Sequence, residues 1–158
     1  MSTERHLPFP VPDSRAYFFV GQYADMHQFV EDLVVPDELP AAPATVLRTA
    51  RELLRHSYFC CEFSTVAALH SLIAVEMVLR EKLPNAGTKP LKRLIQAGAA
   101  SGLLTAEQAA MLDSGRQIRN RMAHGETTRT VMPPARALTL VRTSLTIVTA
   151  LCAAPTST

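Results

Sequence analysis

The stretch CEFSTVAALHSLIAVEMVLREKL, which spans residues 61–83, decides the class of this fold. Its apolar residues cover most sides of a helix, and it lacks the alternation of apolar and polar residues that marks a half-buried strand. A helix that is apolar on most sides has to be surrounded by other elements. We therefore expect residues 61–83 to form the central helix, ended by the turn-forming run Pro84-Asn85-Ala86-Gly87.

Helical patterns continue on both sides of this stretch. Prolines, glycines and capping residues predict further helices at residues 44–57, 89–99, 105–124 and 133–153. Strand patterns are almost absent from Pro43 onward, and the connections between the helices are short. We therefore predict an all-α fold, an antiparallel helical bundle of about four to five helices with an N-terminal extension.

Residues 1–42 differ from the rest of the chain. Several prolines interrupt them, and between the prolines lie an aromatic run at 17–20 and a candidate helix at 22–34. We predict an N-terminal extension with Pro-rich segments and one short helix at 1–42, a helical domain at 43–153 and a tail at 154–158. The extension is expected to pack on the domain or on a second subunit.

The bulk composition limits the class of protein. A chain of 158 residues with 47% hydrophobic and 19% charged residues suits one globular domain. The formal net charge is only +2, whereas proteins that coat a nucleic-acid duplex usually carry a stronger basic bias. Any contact with nucleic acid is therefore expected to be local.

The cysteines and the apolar segments indicate a cytoplasmic protein that does not span a membrane. The cysteine count is odd and Cys60 is adjacent to Cys61, which predicts buried, reduced thiols rather than a disulfide or a metal site. The N-terminus lacks the apolar core of a signal peptide. The most apolar segment, 135–154, carries Arg142 and several threonines, so we interpret it as a core helix.

The run Arg119-Asn120-Arg121-Met122-Ala123-His124-Gly125 closes one of the predicted helices. We call residues Arg119 to His124 the C-terminal motif. It holds two guanidinium groups, an amide and an imidazole, all of which can bind or act on a phosphodiester. Steps of four residues place Arg116, Asn120 and His124 on one polar face of the helix.

The same helix has a second, apolar face. Steps of three and four residues predict a buried stripe at Met111, Gly115, Ile118 and Met122. Gly115 is expected to leave room for another chain beside Arg119, which should be semi-buried. A self-complementary patch of this kind suits a twofold axis, so we predict a symmetric homodimer through this helix.

Glu76 occupies an unusual position in the central helix. It lies in a seam whose other positions, 69, 72, 79 and 83, are leucines. A buried carboxylate needs a cation or several hydrogen-bond donors. We therefore expect Glu76 to be buried and to pair with Arg119, with His124 as the next candidate. The alternative is that Glu76 and Arg119 form an ion pair that serves packing alone.

An arginine five positions before a histidine occurs twice in the chain. The other example, Arg51 to His56, is the N-terminal motif. It has no asparagine after the arginine and no glycine after the histidine. Short motifs recur by chance, and we expect this one to lie on a solvated face without a functional role.

The C-terminal motif, in this order of elements, resembles the signature of the HEPN superfamily. The likeness rests on "LDSGRQIRNRMAHGE", "LHSLIAVEMVLREKL" and the intervening "KPLKRLIQAG", and it covers about residues 44–153. Residues 1–42 have no counterpart in it. Many members of that family are metal-independent endoribonucleases that work as dimers, with two motif helices facing each other across one cleft.

The resemblance and the residue chemistry together assign the candidate roles. Arg119 and His124 are the catalytic candidates, Asn120 and Glu76 support them, and the phosphate-binding candidates are Arg116 and Arg121. RNA supplies its own nucleophile, the 2′-hydroxyl, so cleavage requires a base, an acid and positive charge rather than a metal or another cofactor.

Two classes of function compete at this point. The first is a metal-independent endoribonuclease of toxin or defence type that cleaves RNA at a dimer cleft, with a cognate antitoxin or regulatory protein as a further candidate partner. The second is a non-catalytic dimeric scaffold that binds a nucleotide or a partner protein. A third reading is a regulatory subunit whose N-terminal extension contacts another protein.

Overall fold

The computed structural model describes residues 9–126 and 131–154. These residues form a 3-10 turn at Ala16–Phe18 and the helices α1 (Asp25–Phe29), α2 (Ala41–His56), α3 (Glu62–Lys82), α4 (Leu91–Ala100), α5 (Ala106–Ala123) and α6 (Pro134–Ala153). The described residues contain no strand, so the predicted all-α class is confirmed. The antiparallel bundle of four to five helices stays a prediction. Residues 1–8 and most of the predicted tail lie outside the described residues.

Helix α3 contacts four of the other helices, namely α2, α4, α5 and α6. It is buried along most of its length, and its largest fully buried side chains include Leu72 and Leu79. Where α3 meets α6, the hydroxyl groups of Ser71 and Ser144 lie 3.0 Å apart and are both buried. A hydroxyl pair that satisfies itself costs little when it leaves water. Residues 61–83 thus have the internal position that their composition predicts.

The N-terminal helix is shorter than the sequence suggests. The predicted helix covers 22–34, whereas α1 covers only Asp25–Phe29. Beyond α1 the chain turns, and Val30, Leu33 and Val35 are buried in the main core. Burial of these side chains outweighs the weak preference for one more helical turn.

A polar clasp ties the N-terminal segment to the junction between α2 and α3. Asp13 donates its N–H to the carbonyl of Tyr58 at 2.9 Å, and its carboxylate accepts from the N–H of Cys61 at 3.0 Å. Arg15 bonds both Asp13 and Glu62, at 2.7 and 2.9 Å. Hydrogen bonds from Arg15 hold the pKa values of the Asp13 and Glu62 carboxyls below their usual range. The clasp is therefore formed at neutral pH.

Helices α3 and α6 are long and apolar enough, by length and composition alone, to cross a membrane. Their apolar stretches are 56% and 44% buried inside the fold, respectively. Core helices of soluble proteins pass the same test, so the finding is weak evidence for a membrane span.

Candidate functional site

Helix α5, which carries the C-terminal motif, is well defined at both ends. Thr105 and Gln108 form a reciprocal capping box at its start. At its end His124 is the C-cap and Gly125 has a φ of 84°. The N–H of Gly125 donates to Met122 at 3.0 Å and that of Glu126 donates to Arg121 at 3.1 Å. This pairing is the Schellman motif, so His124 lies where the helix stops.

Gly115 does not leave space for another chain, contrary to the sequence interpretation. It is buried, and a Cβ atom added to it would lie 2.7 Å from Leu140 Cδ2 and 3.3 Å from Leu72 Cδ1. The glycine instead lets α5 approach α6 and α3 within the same chain. The buried stripe is otherwise close to the expected one, because Ile118 is buried and Met111 and Met122 pack against the core from its edge.

Glu76 lies beside Arg119, but the carboxylate is less buried and differently paired than expected. Its side chain is 24% exposed. Its strongest partner is Arg80, one turn along α3, whose Nη2 lies 2.6 Å from Glu76 Oε1. Arg119 Nη1 lies 3.8 Å from Glu76 Oε2. Arg80 competes successfully because residues four apart on a helix are always within reach, and the sequence interpretation missed it.

Four of the six predicted site residues line one polar cavity. Its volume is about 280 Å³, and its walls are formed by Glu76, Pro90, Leu91, Lys92, Arg116, Arg119 and Asn120. We call it the polar cavity. The wall that the sequence interpretation missed is the start of α4. The proline before "LKRLIQAG" marks that helix start, but nothing local predicts that it faces α5.

The polar cavity favours an anion. Among the described residues, three cationic side chains line it, one of which, Arg116, is paired with Asp113, against one carboxylate that Arg80 already holds. Lys92 and the first amides of α4 stand at the positive end of that helix dipole. Arg116 is held in place by a 2.7 Å bond to Asp113, and this bond lowers the pKa of the Asp113 carboxyl.

His124 and Arg121 do not line the polar cavity. Both are exposed at the last turn of α5. His124 shares the polar face with Asn120, one turn further on, and a helix rises about 7.5 Å over the five residues from Arg119 to His124. The side chain of Arg119 is 50% exposed, so it is less buried than expected. Within one chain the arginine reaches the cavity, while the histidine extends beyond its edge.

The N-terminal motif is not on a solvated face, so that expectation was wrong. Arg51, Arg55 and His56 are all half-buried. Arg55 pairs with Glu52, and the two ring nitrogens of His56 lie 2.8 Å from the carbonyl oxygen of Glu52 and 3.4 Å from the hydroxyl of Tyr23. Tyr23 comes from the N-terminal segment, which local sequence patterns do not place on α2.

The cysteines are poor candidates for chemistry. Cys60, Cys61 and Cys152 are free thiols, but only Cys61 is buried as expected, and the other two are partly exposed. Burial raises the pKa of each of them, which favours the unreactive thiol over the nucleophilic thiolate. Among the residues that the structure describes, no group of three or more histidine, cysteine, aspartate or glutamate side chains could hold a metal ion.

Comparisons of the chain with protein-family models, with curated proteins and with solved structures found no match.

Proposed function

We propose that this protein is a metal-independent endoribonuclease of the HEPN type that acts in a toxin or defence role. The observation that carries the proposal is the polar cavity, where Arg119, Arg116 and Asn120 meet Lys92 and the start of α4. Cationic side chains and helix N-termini are the usual partners of phosphate groups. Their convergence beside the C-terminal motif supports an RNA backbone as the ligand.

The proposed reaction uses the RNA's own 2′-hydroxyl. A base removes its proton, the oxygen attacks the adjacent phosphorus, and an acid protonates the 5′-oxygen as it leaves. Arg119 stabilises the negative charge that builds up on the phosphorane oxygens. The base and the acid are two His124 side chains, one from each subunit of a homodimer. The products are a 2′,3′-cyclic phosphate and a 5′-hydroxyl.

The homodimer is part of this proposal, because the reaction needs a base and an acid and each chain supplies one His124. Gly115 does not support the homodimer, because it faces Leu140 of the same chain. Support comes instead from α3, where Phe63, Val66 and Met77 are 37%, 41% and 39% exposed. Met77 directly follows Glu76, so a second copy seated there would lie next to the polar cavity. Val66→Glu should produce a monomer in light scattering and leave helicity intact.

The deciding experiment is incubation of the purified protein with mixed RNA in EDTA. We expect cleavage that leaves 2′,3′-cyclic phosphate ends and spares DNA, which lacks the nucleophile. His124→Ala is the test variant. His56→Ala is its matched control, because it removes the same side chain from the N-terminal motif. Activity that requires magnesium, or that survives in His124→Ala, would overturn the proposal.

The second candidate is a non-catalytic module that binds a nucleotide or a partner protein. The position of His124 outside the polar cavity favours it. In that case RNA or a nucleotide would bind without being cleaved, Arg119→Ala would weaken the binding, and His124→Ala would leave it unchanged. Fluorescence titration with a labelled oligonucleotide, run beside the cleavage assay, separates the two functions.

A further inference from the structure

A second and larger cavity opens between α5 and α6. Its volume is about 670 Å³, and it is lined by Glu107, Ala110, Met111, Ser114, Gly115, Met132, Ala135, Arg136, Thr139 and Leu140. Among the described residues it shares no lining residue with the polar cavity. Its lining is mostly apolar, so we call it the apolar cavity. Pockets that bind small molecules usually enclose about 300–1,000 Å³, and this one falls within that range.

The shape of the apolar cavity is set by contacts on several sides. The close approach of Gly115 to Leu140 joins the two helices at its floor. On one wall, the segment before α6 is tied to α3: the N–H of Met132 donates to Thr65 at 2.7 Å, and its carbonyl accepts from Ser64 at 2.7 Å. The cavity is thus built into the packing of the helices.

The apolar cavity has one polar pair that can bind an anion, Arg136 and Ser114. The Arg136 guanidinium donates to Ser114 Oγ at 3.1 Å, and no carboxylate of the described residues lies within ion-pair distance of it. Arg136 stands in the first turn of α6, which contains no acidic residue, so the helix dipole adds to its positive potential. Among the described lining residues the other charged one is Glu107, which lies seven residues before Ser114 on α5, about 10 Å along the helix from the Arg136–Ser114 pair.

We propose that the apolar cavity binds a small amphipathic anion, an unbranched or aromatic hydrocarbon that carries one carboxylate. The carboxylate binds Arg136 and Ser114, and the hydrocarbon lies against Met111, Met132 and Leu140. A solvent-exposed guanidinium that has no ion-pair partner among the described residues, beside an apolar wall, matches this ligand in both charge and polarity. The site is independent of the proposed ribonuclease activity.

The test is calorimetric titration of the full chain with decanoate and, in parallel, with the uncharged decanol. We expect one saturable decanoate site per chain. Arg136→Gln should weaken decanoate binding roughly tenfold or more and leave decanol binding unchanged, since only the charged hydrogen bond is lost. Ala135→Leu adds bulk at a solvent-exposed lining position and should abolish both. Arg93→Gln, an exposed arginine on α4, is the matched control and should bind both ligands like wild type.

Two results would overturn the proposal. One is decanoate binding that is absent, or that is the same in wild type, Arg136→Gln and Ala135→Leu when circular dichroism shows all three folded. The other is occupation of the cavity by a second copy of the chain. Wild type would then be a dimer in light scattering, Ala135→Leu a monomer, and decanoate would not bind wild type.

Discussion

The two motifs of this chain share the spacing between arginine and histidine, and they differ in the contacts and the exposure of these side chains. In the N-terminal motif on α2, His56 has a polar partner near each ring nitrogen, and Arg51 donates to the carbonyl of Leu33 and pairs with Glu52. In the C-terminal motif on α5, His124 is exposed at a helix end and Arg119 lies at the wall of a polar cavity. The first set of side chains is used by the fold, while the second is available to a ligand.

The difference shows that spacing alone does not define a site. An arginine and a histidine five positions apart have the same geometry on any helix. What separates the two motifs is long-range: Tyr23 of the N-terminal segment lies over the first, and the start of α4 faces the second. The predictions that follow test this contrast, beginning with the largest effect.

Loss of His124 should have the largest effect. If it acts as acid or base, His124→Ala should lower RNA cleavage about 10²–10⁴-fold. His56→Ala should cleave at the wild-type rate, because His56 is used in internal contacts. Initial rates on one labelled RNA in EDTA measure both. Equal losses in the two variants would mean that the contrast between the motifs is not functional.

Loss of Arg119 should have the second-largest effect on the cleavage rate. A donor aimed at the developing phosphorane charge contributes roughly 10²–10³-fold, so Arg119→Ala should lose activity by that order and Arg51→Ala should not. Arg119→Lys should recover only part of the rate, since an ammonium cannot bind a phosphate bidentately. Glu76 keeps Arg80 as its partner, so thermal unfolding of Arg119→Ala should stay near wild type. A large drop in its melting temperature would instead assign Arg119 to packing.

The free energy of unfolding should respond in the opposite order to the cleavage rate, with a larger loss in His56→Ala than in His124→Ala. His56→Ala removes a half-buried ring with two polar contacts and should cost about 1–2 kcal/mol of unfolding free energy. His124→Ala removes an exposed side chain and should stay within about 0.5 kcal/mol of wild type. Urea unfolding at pH 7 measures both. A more destabilising change at His124 than at His56 would contradict the burial contrast.

The last prediction concerns the pH dependence of the polar clasp in the N-terminal segment. The bond from Arg15 lowers the folded-state pKa of Asp13, so the stability that this carboxylate contributes is present above its unfolded pKa, about 4, and is lost as the pH falls toward the folded value. Asp13→Asn should therefore be less stable than wild type at pH 7, with a smaller difference at pH 3. A difference that is constant with pH would show that the clasp does not depend on the charge of Asp13.

Much of the fold follows from local sequence. The capping box at Thr105 and the glycine at 125 marked the ends of α5 correctly, and the predicted bounds of α2, α3, α4 and α6 differ from the observed ones by a few residues. The proximity of Glu76 to Arg119 was also expected and is present at 3.8 Å. These features depend on backbone capping and on which side of each helix is apolar, and both can be read within a few turns of chain.

The sequence by itself determined the ends of α2 to α6 to within a few residues and which face of α5 carries charge. Only the tertiary structure decided that Gly115 faces Leu140 of the same chain, that Lys92 joins the polar cavity, and that Tyr23 lies against His56. The physical reason is the separation along the chain of the residues that interact. Helix termini depend on hydrogen bonds within four residues, whereas the position of one helix against another depends on the shapes of side chains far apart in the chain.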